Sequence, residues 1–353
     1  MLTASLTRLL PALLAVMSAF VTITIGLWLA GISVTTVFGA LIEGAAGDSY
    51  RLAETAVKAC PLLLTGLAVA LALHAGVWNI GAEGQLLMGA LATAWVGQYT
   101  ATLPPLLALP LVCVTAFTAG MVWAGGAALL KQYRHVNEVI STIMLNFIAA
   151  SLVSYCVHGP LMEVEGRYPQ TDMLPVAAQF PRLLPPTRLH LGIMLALTIA
   201  ALVWALLYRT KAGFRLRATG ANPTAARFAG IAVDHEITRA LLLSGALAGL
   251  AGGMEVSGIT HRVYEKFSPG YGYTAIAVAL VGQRSPLGVV LAAIFFGALE
   301  AGSGAVQRNA GVSSVLVIVI QATVVLFLAA YSTETFRRWV RFDRRPGTGD
   351  RSQ

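Results

Sequence analysis

The chain has 353 residues, of which 57% are hydrophobic and only 11% charged, and its formal net charge is +8. Soluble domains carry about 25% charged residues, so these figures, with a mean hydropathy of +0.73, exclude a water-soluble fold. The basic excess is spread over short segments between apolar runs, which is the pattern of membrane topology and not of a nucleic-acid-binding face.

No Asp, Glu, Lys or Arg occurs in 9–42, 59–82, 84–130, 139–157, 189–208 or 309–333. A helix needs roughly 20 apolar residues to cross the hydrocarbon core. Run 84–130 therefore accommodates two crossings, turned at Leu103-Pro104-Pro105. In chain order the runs predict an all-α membrane protein of about ten helices, near 9–31, 57–75, 83–100, 106–130, 139–157, 189–208, 240–258, 271–283, 286–304 and 313–332. The first run lacks a small-residue cleavage site and reads as a retained span, not a signal peptide. Helices eight and nine are the shortest-spaced, divided only by Gln283-Arg284-Ser285-Pro286. An even count puts both termini on one side. With the termini in the cytoplasm, 16 of the 24 basic residues lie inside, including those of a basic tail over 333–353.

The first motif in chain order is the stretch GVWNIGAEGQLLMGA, Gly76 to Ala90. It puts Asn79, Glu83 and Gln85 between two apolar runs, where polar groups are costly unless partnered. Gly76, Gly81 and Gly84 weaken helix there, so an interrupted segment is expected. Irregular backbone at membrane depth survives only when buried in protein or lining a water-filled cavity. Two roles stay open for these polar residues: capping helix ends, or meeting a polar solute together with Trp78. Further along, Asn137-Glu138 reads as the start of a span, and Asn146 inside it faces either a neighbouring helix or the pathway. Gln283 is a further pathway candidate. Glu255 and Glu300 fall near the outer ends of spans, where water is within reach. His74 reads as a helix-end residue. Cys60, Cys113 and Cys156 read as small buried residues, with no disulfide set or metal site among them. SGALAGLAGG, with Gly245, Gly249, Gly252 and Gly253, is a small-xxx-small packing pattern.

Two longer connections separate the spans. Residues 159–188 hold six of the fifteen prolines and read as a stiff outer loop. Residues 209–239 form a basic inner loop containing ATGANPTAARFAGI. There Asn222 is an N-cap, Pro223 sits at the first helical position and Gly230 can close the helix. Ala225, Ala226, Arg227, Phe228 and Ala229 continue it. So short a helix must dock, either on its own protein or in the groove of a partner.

Three motifs now carry a resemblance. NIGAEGQLLMGA, VNEVISTIMLNFIAA (Val136 to Ala150) and GANPTAARFAGI together resemble the permease subunits of nucleoside-type ABC importers, part of a larger group that includes ribose and branched-chain amino-acid permeases. The likeness runs from about Ala53 to the end of the last span. Trp78 departs from it, standing where phenylalanine is expected. The resemblance implies a type II importer-like fold in a bacterial inner membrane. It implies that Gly220, Ala221, Asn222, Pro223, Ala225, Ala226, Arg227, Phe228, Ala229 and Gly230 form a coupling helix for a cytoplasmic ABC ATPase. It further implies a second homologous permease subunit and an extracytoplasmic substrate-binding protein. The chain has no Walker A loop, so ATP hydrolysis is expected elsewhere, and no cofactor is expected. Sugar, nucleobase or branched-chain amino-acid cargo stays open. So does an ion-coupled secondary transporter, for which Glu83 would be the membrane carboxylate.

Overall fold

A computed structural model describes residues 2–331, with side chains from Leu13 onward; the basic tail over 333–353 lies outside the described residues. The helices are α1 (Leu2–Leu29), α2 (Val34–Ala46), α3 (Ser49–His74), α4 (Ala82–Gly97), α5 (Pro105–Arg134), α6 (Glu138–His158), α7 (Gly192–Arg209), α8 (Lys211–Ala221), α9 (Pro223–Phe228), α10 (Val233–Glu255), α11 (Tyr271–Val281), α12 (Pro286–Ala310) and α13 (Val315–Tyr331). A π-helical turn, Val256–Thr260, prolongs α10. Among the described residues, six helices are long and apolar enough to cross a membrane: α3, α5, α6, α7, α10 with its π turn, and α12.

Each of the ten apolar runs forms a helix. Two further helices, α2 and α8, were not expected from the sequence. Ser33 caps α2, its hydroxyl accepting from Thr36 N. Asp48 caps α3 eight residues earlier than the sequence suggested, and accepts from Arg51 N. The charges at the start of α3 are paired: Arg51 with Glu43 and Asp48, Glu54 with Arg188, and Lys58 with Glu300.

The centre of the bundle is α10, wedged between α4 and α5 with backbone touching backbone. A Cβ on Gly249 would lie 2.4 Å from Ala116 O, one on Gly120 2.2 Å from Gly245 O, and one on Gly89 2.0 Å from Gly249 O. The expected packing role of this glycine pattern is thus what the geometry displays.

The proline-rich segment 159–191 runs through turns, isolated bridges and a short helical turn at Val176–Ala178, and it is strapped across one end of α10. Thr171 N, Leu174 N and Phe180 N donate to Val263 O, His261 O and Ser257 O at 2.7–2.9 Å. Thr171, Leu174, Ala178 and Phe180 are buried beneath it. The opposite end of the bundle carries α8 and α9.

Candidate functional site

α4 begins half-way up the bundle. Asn79 Nδ2 donates to Ser244 Oγ at 2.7 Å, and Ser244 Oγ donates to Ala68 O at 2.6 Å. Ser244 lies 11 residues from Val233 and 16 from Thr260, or roughly 16 and 24 Å along α10. The chain therefore reaches the end of α3 at His74, turns at Gly76 (φ +78°), and climbs without helical structure to mid-height before α4 starts. Gly97, at the far end of α4, meets Leu174 of the strap.

α11 also starts at mid-height and runs the other way. A Cβ on Gly272 would lie 2.2 Å from Glu83 N, so the first turns of α4 and α11 are in backbone contact. Glu83 sits between the two N-termini. Its Oε2 accepts from Gly272 N at 2.7 Å, and the Ser268 side chain lies close to it. Two helix N-termini concentrate positive partial charge, which a carboxylate offsets.

The interrupted segment has few helical backbone bonds, and neighbouring amides supply the rest. Asn79 and Gln85 pair reciprocally, Nδ2 to Oε1 at 2.8 Å and Nε2 to Oδ1 at 3.0 Å. Asn79 Oδ1 also accepts from Gly81 N. Asn146, from α6, accepts from Gly84 N at 2.8 Å and donates to Ile80 O at 2.9 Å. Asn79, Glu83, Gln85 and Asn146 are all buried, and each of the bonds would leave an orphaned polar atom if broken. Trp78 differs, being 41% exposed beside them.

The structure thus gathers five of the six pathway candidates and leaves one apart. Gln283 lies in the α11–α12 turn at φ +52°, eleven residues beyond Gly272 and so roughly 16 Å along from Glu83. Sequence reasoning missed Ser244, Ser268 and Tyr273. Tyr273 is 47% exposed, and its hydroxyl lies 3.5 Å from Asn146 Nδ2. Its signal was present in GYGYTAI: two aromatics bracketing a glycine at a helix start. Asn137 caps α6, accepting from Val139 N at 2.8 Å, while Glu138 pairs with Lys131 at 2.7 Å. His74 closes α3 with Nδ1 on Ala70 O. Cys60 is buried, Cys113 and Cys156 half-buried, and all three are free thiols.

At the other end of the bundle Asn222 Oδ1 accepts from Ala225 N at 3.0 Å and starts α9 at Pro223. Gly230 follows with φ +77°. The alanine face expected to enter a groove as a whole is divided. Ala226 is buried on its own chain, whereas Ala225, Ala229 and Phe228, which is 90% exposed, face outward. Arg227 is exposed and pairs with Asp234 at 3.3 Å. α8 packs on the start of the interrupted segment: Gly220 faces His74 O and Gly76 N, and a Cβ there would approach them to 2.2 and 2.8 Å.

Short helices that meet end to end at a buried polar cluster are a feature of membrane transporters. The sequence matches the family described as branched-chain amino acid transport system / permease component over residues 51–328, and the chain belongs to that family. It is similar to the guanosine ABC transporter permease protein NupP of Bacillus subtilis, 38% identical over 92% of this chain and 94% of that one. It is also similar to the glucose ABC transporter permease protein TsgB13 of Haloferax volcanii, 37% identical over 96% and 93% of the two chains. A third relative is the nucleoside ABC transporter permease protein NupB of Lactococcus lactis, 31% identical over 82% of each. No solved structure matches the chain.

Proposed function

We propose that the chain is the permease subunit of an ATP-driven ABC importer that takes up nucleosides by alternating access. The observation that carries this is the likeness, along nearly the whole chain, to permeases named for guanosine and nucleosides. An equally extended likeness to a permease named for glucose favours a second cargo, a hexose.

In this reading the chain crosses a bacterial inner membrane ten times in a type II importer fold. The six long helices are joined by α1, α4, α11 and α13, with both termini, α8 and α9 in the cytoplasm and the 159–191 strap outside. The charge distribution supports that orientation. A second homologous permease completes the translocation path, an extracytoplasmic binding protein delivers cargo, and a separate ABC ATPase hydrolyses ATP. Residues 220–230 form the coupling helix, offering Ala225, Phe228 and Ala229 to the ATPase. Transporters place substrate sites where interrupted helices meet near mid-membrane. We assign Trp78 and Glu83 to the edge of the path, with Tyr273 beside them. Asn79, Gln85 and Asn146 hold the break in shape, and Gln283 belongs to the cytoplasmic mouth.

The test is ATP-dependent uptake of labelled guanosine by the chain reconstituted with its partner subunits, with glucose as competitor. Saturable guanosine uptake that glucose leaves intact supports the nucleoside reading. Glucose uptake insensitive to guanosine replaces it with the hexose reading. Ion-driven uptake by this chain alone, without ATP, would displace both in favour of a secondary transporter.

A further inference from the structure

A cavity of about 530 Å³ opens beneath the strap, away from the polar cluster at the α4 N-terminus. Its walls include Lys58, Arg188, Glu255, Tyr264, Phe267 and Tyr271, drawn from α3, the strap, the end of α10 and the segment leading into α11. Most charges around it are already paired. Arg188 binds Glu54, with Nε to Oε2 at 3.2 Å, Lys58 lies 3.9 Å from Glu300, and Arg262 lies 3.6 Å from Glu163.

Glu255 and Lys266 are the exceptions. Among the described residues the Glu255 carboxylate has no ion pair within 4 Å and no hydrogen bond, with Lys58 and Arg188 in the same cavity wall. An ionisable group held at the end of a membrane helix without a partner marks a functional site. The backbone next to it is also unusual. The π turn Val256–Thr260 follows directly, and such turns cluster at functional sites. Around that turn the Ser257 and Thr260 hydroxyls are buried with no hydrogen-bond partner. Thr260 lines the cavity.

The chemistry of the wall limits what fits. Four cations face one carboxylate, so a cationic solute is repelled. An anion would meet Glu255 and would find three of those cations already paired. A neutral solute whose adjacent hydroxyls both donate and accept satisfies the carboxylate and the neighbouring N–H groups together. Carboxylates hold ribose hydroxyls in this way. Tyr264, 39% exposed and edge to face with the buried Phe267 at 5.9 Å, supplies an apolar face for the ring that bears the hydroxyls. Among the described residues no His, Cys, Asp and Glu cluster offers a metal site instead.

We propose that this cavity is a reception site for the vicinal diol of a sugar ring, with Glu255 accepting from both hydroxyls. The inference rests on the importer reading for the side from which the solute arrives, and not for the identity of the cargo. Ribose in a nucleoside and a free hexose share the diol, so one site receives either.

The test labels Ile259→Cys, in the cavity wall, with a membrane-impermeant thiol reagent. Right-side-out vesicles carry the assembled importer, and the wild-type chain gives the background from Cys60, Cys113 and Cys156. Guanosine, 2′,3′-dideoxyguanosine and glucose are added separately at millimolar concentration. At least one of guanosine and glucose should slow labelling by about fivefold or more, an occupancy effect worth about 1 kcal/mol. Dideoxyguanosine should not, and Glu255→Gln should abolish the protection. Protection by guanosine alone assigns the diol to ribose, and protection by glucose alone assigns it to a hexose. Equal protection by dideoxyguanosine, no protection by either diol, or labelling only in inverted vesicles overturns the proposal. Thr260→Cys replaces Ile259→Cys should the latter fail to reach the membrane. Wild-type guanosine uptake is measured alongside. Normal uptake without protection removes the diol site and leaves the proposed function standing, and protection by glucose without nucleoside uptake does the reverse.

Discussion

Gly220→Ala sets a methyl group against the contact that ties α8 to the interrupted segment. The new Cβ would lie 2.2 Å from His74 O and 2.8 Å from Gly76 N. Relief requires α8 to move off the end of α3 by about 1 Å, and overpacking of this kind costs roughly 1–3 kcal/mol. Applied to the equilibrium between coupled and uncoupled arrangements, that is about a 5- to 150-fold change. The displaced residues lead directly to Trp78 and Asn79, so a disturbance at the α8 end of the bundle reaches the polar cluster through backbone. The assay is uptake per ATP hydrolysed in the reconstituted importer, read with thermal unfolding of the complex. Uptake should fall while ATP hydrolysis persists. Gly311→Ala is the control: it meets nothing within 4 Å and bears only the strain of φ +64°, about 1–2 kcal/mol at the end of α12, away from α8 and α9. Wild-type uptake per ATP in the Gly220→Ala importer would refute the idea that this contact transmits motion.

Asn146→Ala leaves Gly84 N–H and Ile80 C=O without partners, and at about 1–3 kcal/mol for each orphaned group it should lower the unfolding temperature of the purified chain markedly. Asn146→Asp, which keeps the acceptor, should lower it less. Ala225→Trp should prevent pull-down of the ATPase with the permease's own melting unchanged, whereas Ala226→Trp, buried on its own chain, should depress that melting first. His190 lies in the strap, stacked on Phe180, with Nδ1 accepting from Gly192 N. Burial first, and then the charge of His261, lowers its pKa from 6.5 to about 4. A lowered histidine pKa means that the unfolded chain binds the proton more readily. The contribution of His190 is therefore complete above about pH 6.5 and lost as pH falls toward 4, roughly 3 kcal/mol in all. The melting temperature of the wild type should drop across that window, and His190→Gln should flatten the slope.

The sequence was most informative where one run of residues carried the whole signal. Asn222, Pro223 and Gly230 delimit α9 locally, and the glycines of SGALAGLAGG announce close packing without naming the helices that meet them. α2 was hidden because Gly39, Glu43 and Gly44 interrupt an already crowded stretch just after α1 ends. α8 was hidden because its basic residues read as loop. The starting level of α4 could not be read at all. It depends on Asn79 finding Ser244 and on Gly84 finding Asn146, partners 165 and 62 residues away. The cavity beneath the strap is likewise a product of distant pairings such as Arg188 with Glu54.

The glycine seams of α10 have a mechanical consequence. Helices that meet side chain to side chain can slide by exchanging rotamers, but α4, α5 and α10 meet through Gly89, Gly120, Gly245 and Gly249 with no side chain between them to rearrange. Sliding within that trio is therefore resisted. The flexing point of any transport cycle then falls on the short stretch between Gly76 and Gly81, where helical bonds are already missing and amide side chains stand in for them. A cross-link across that stretch would freeze the machine, whereas one across the seams would change nothing.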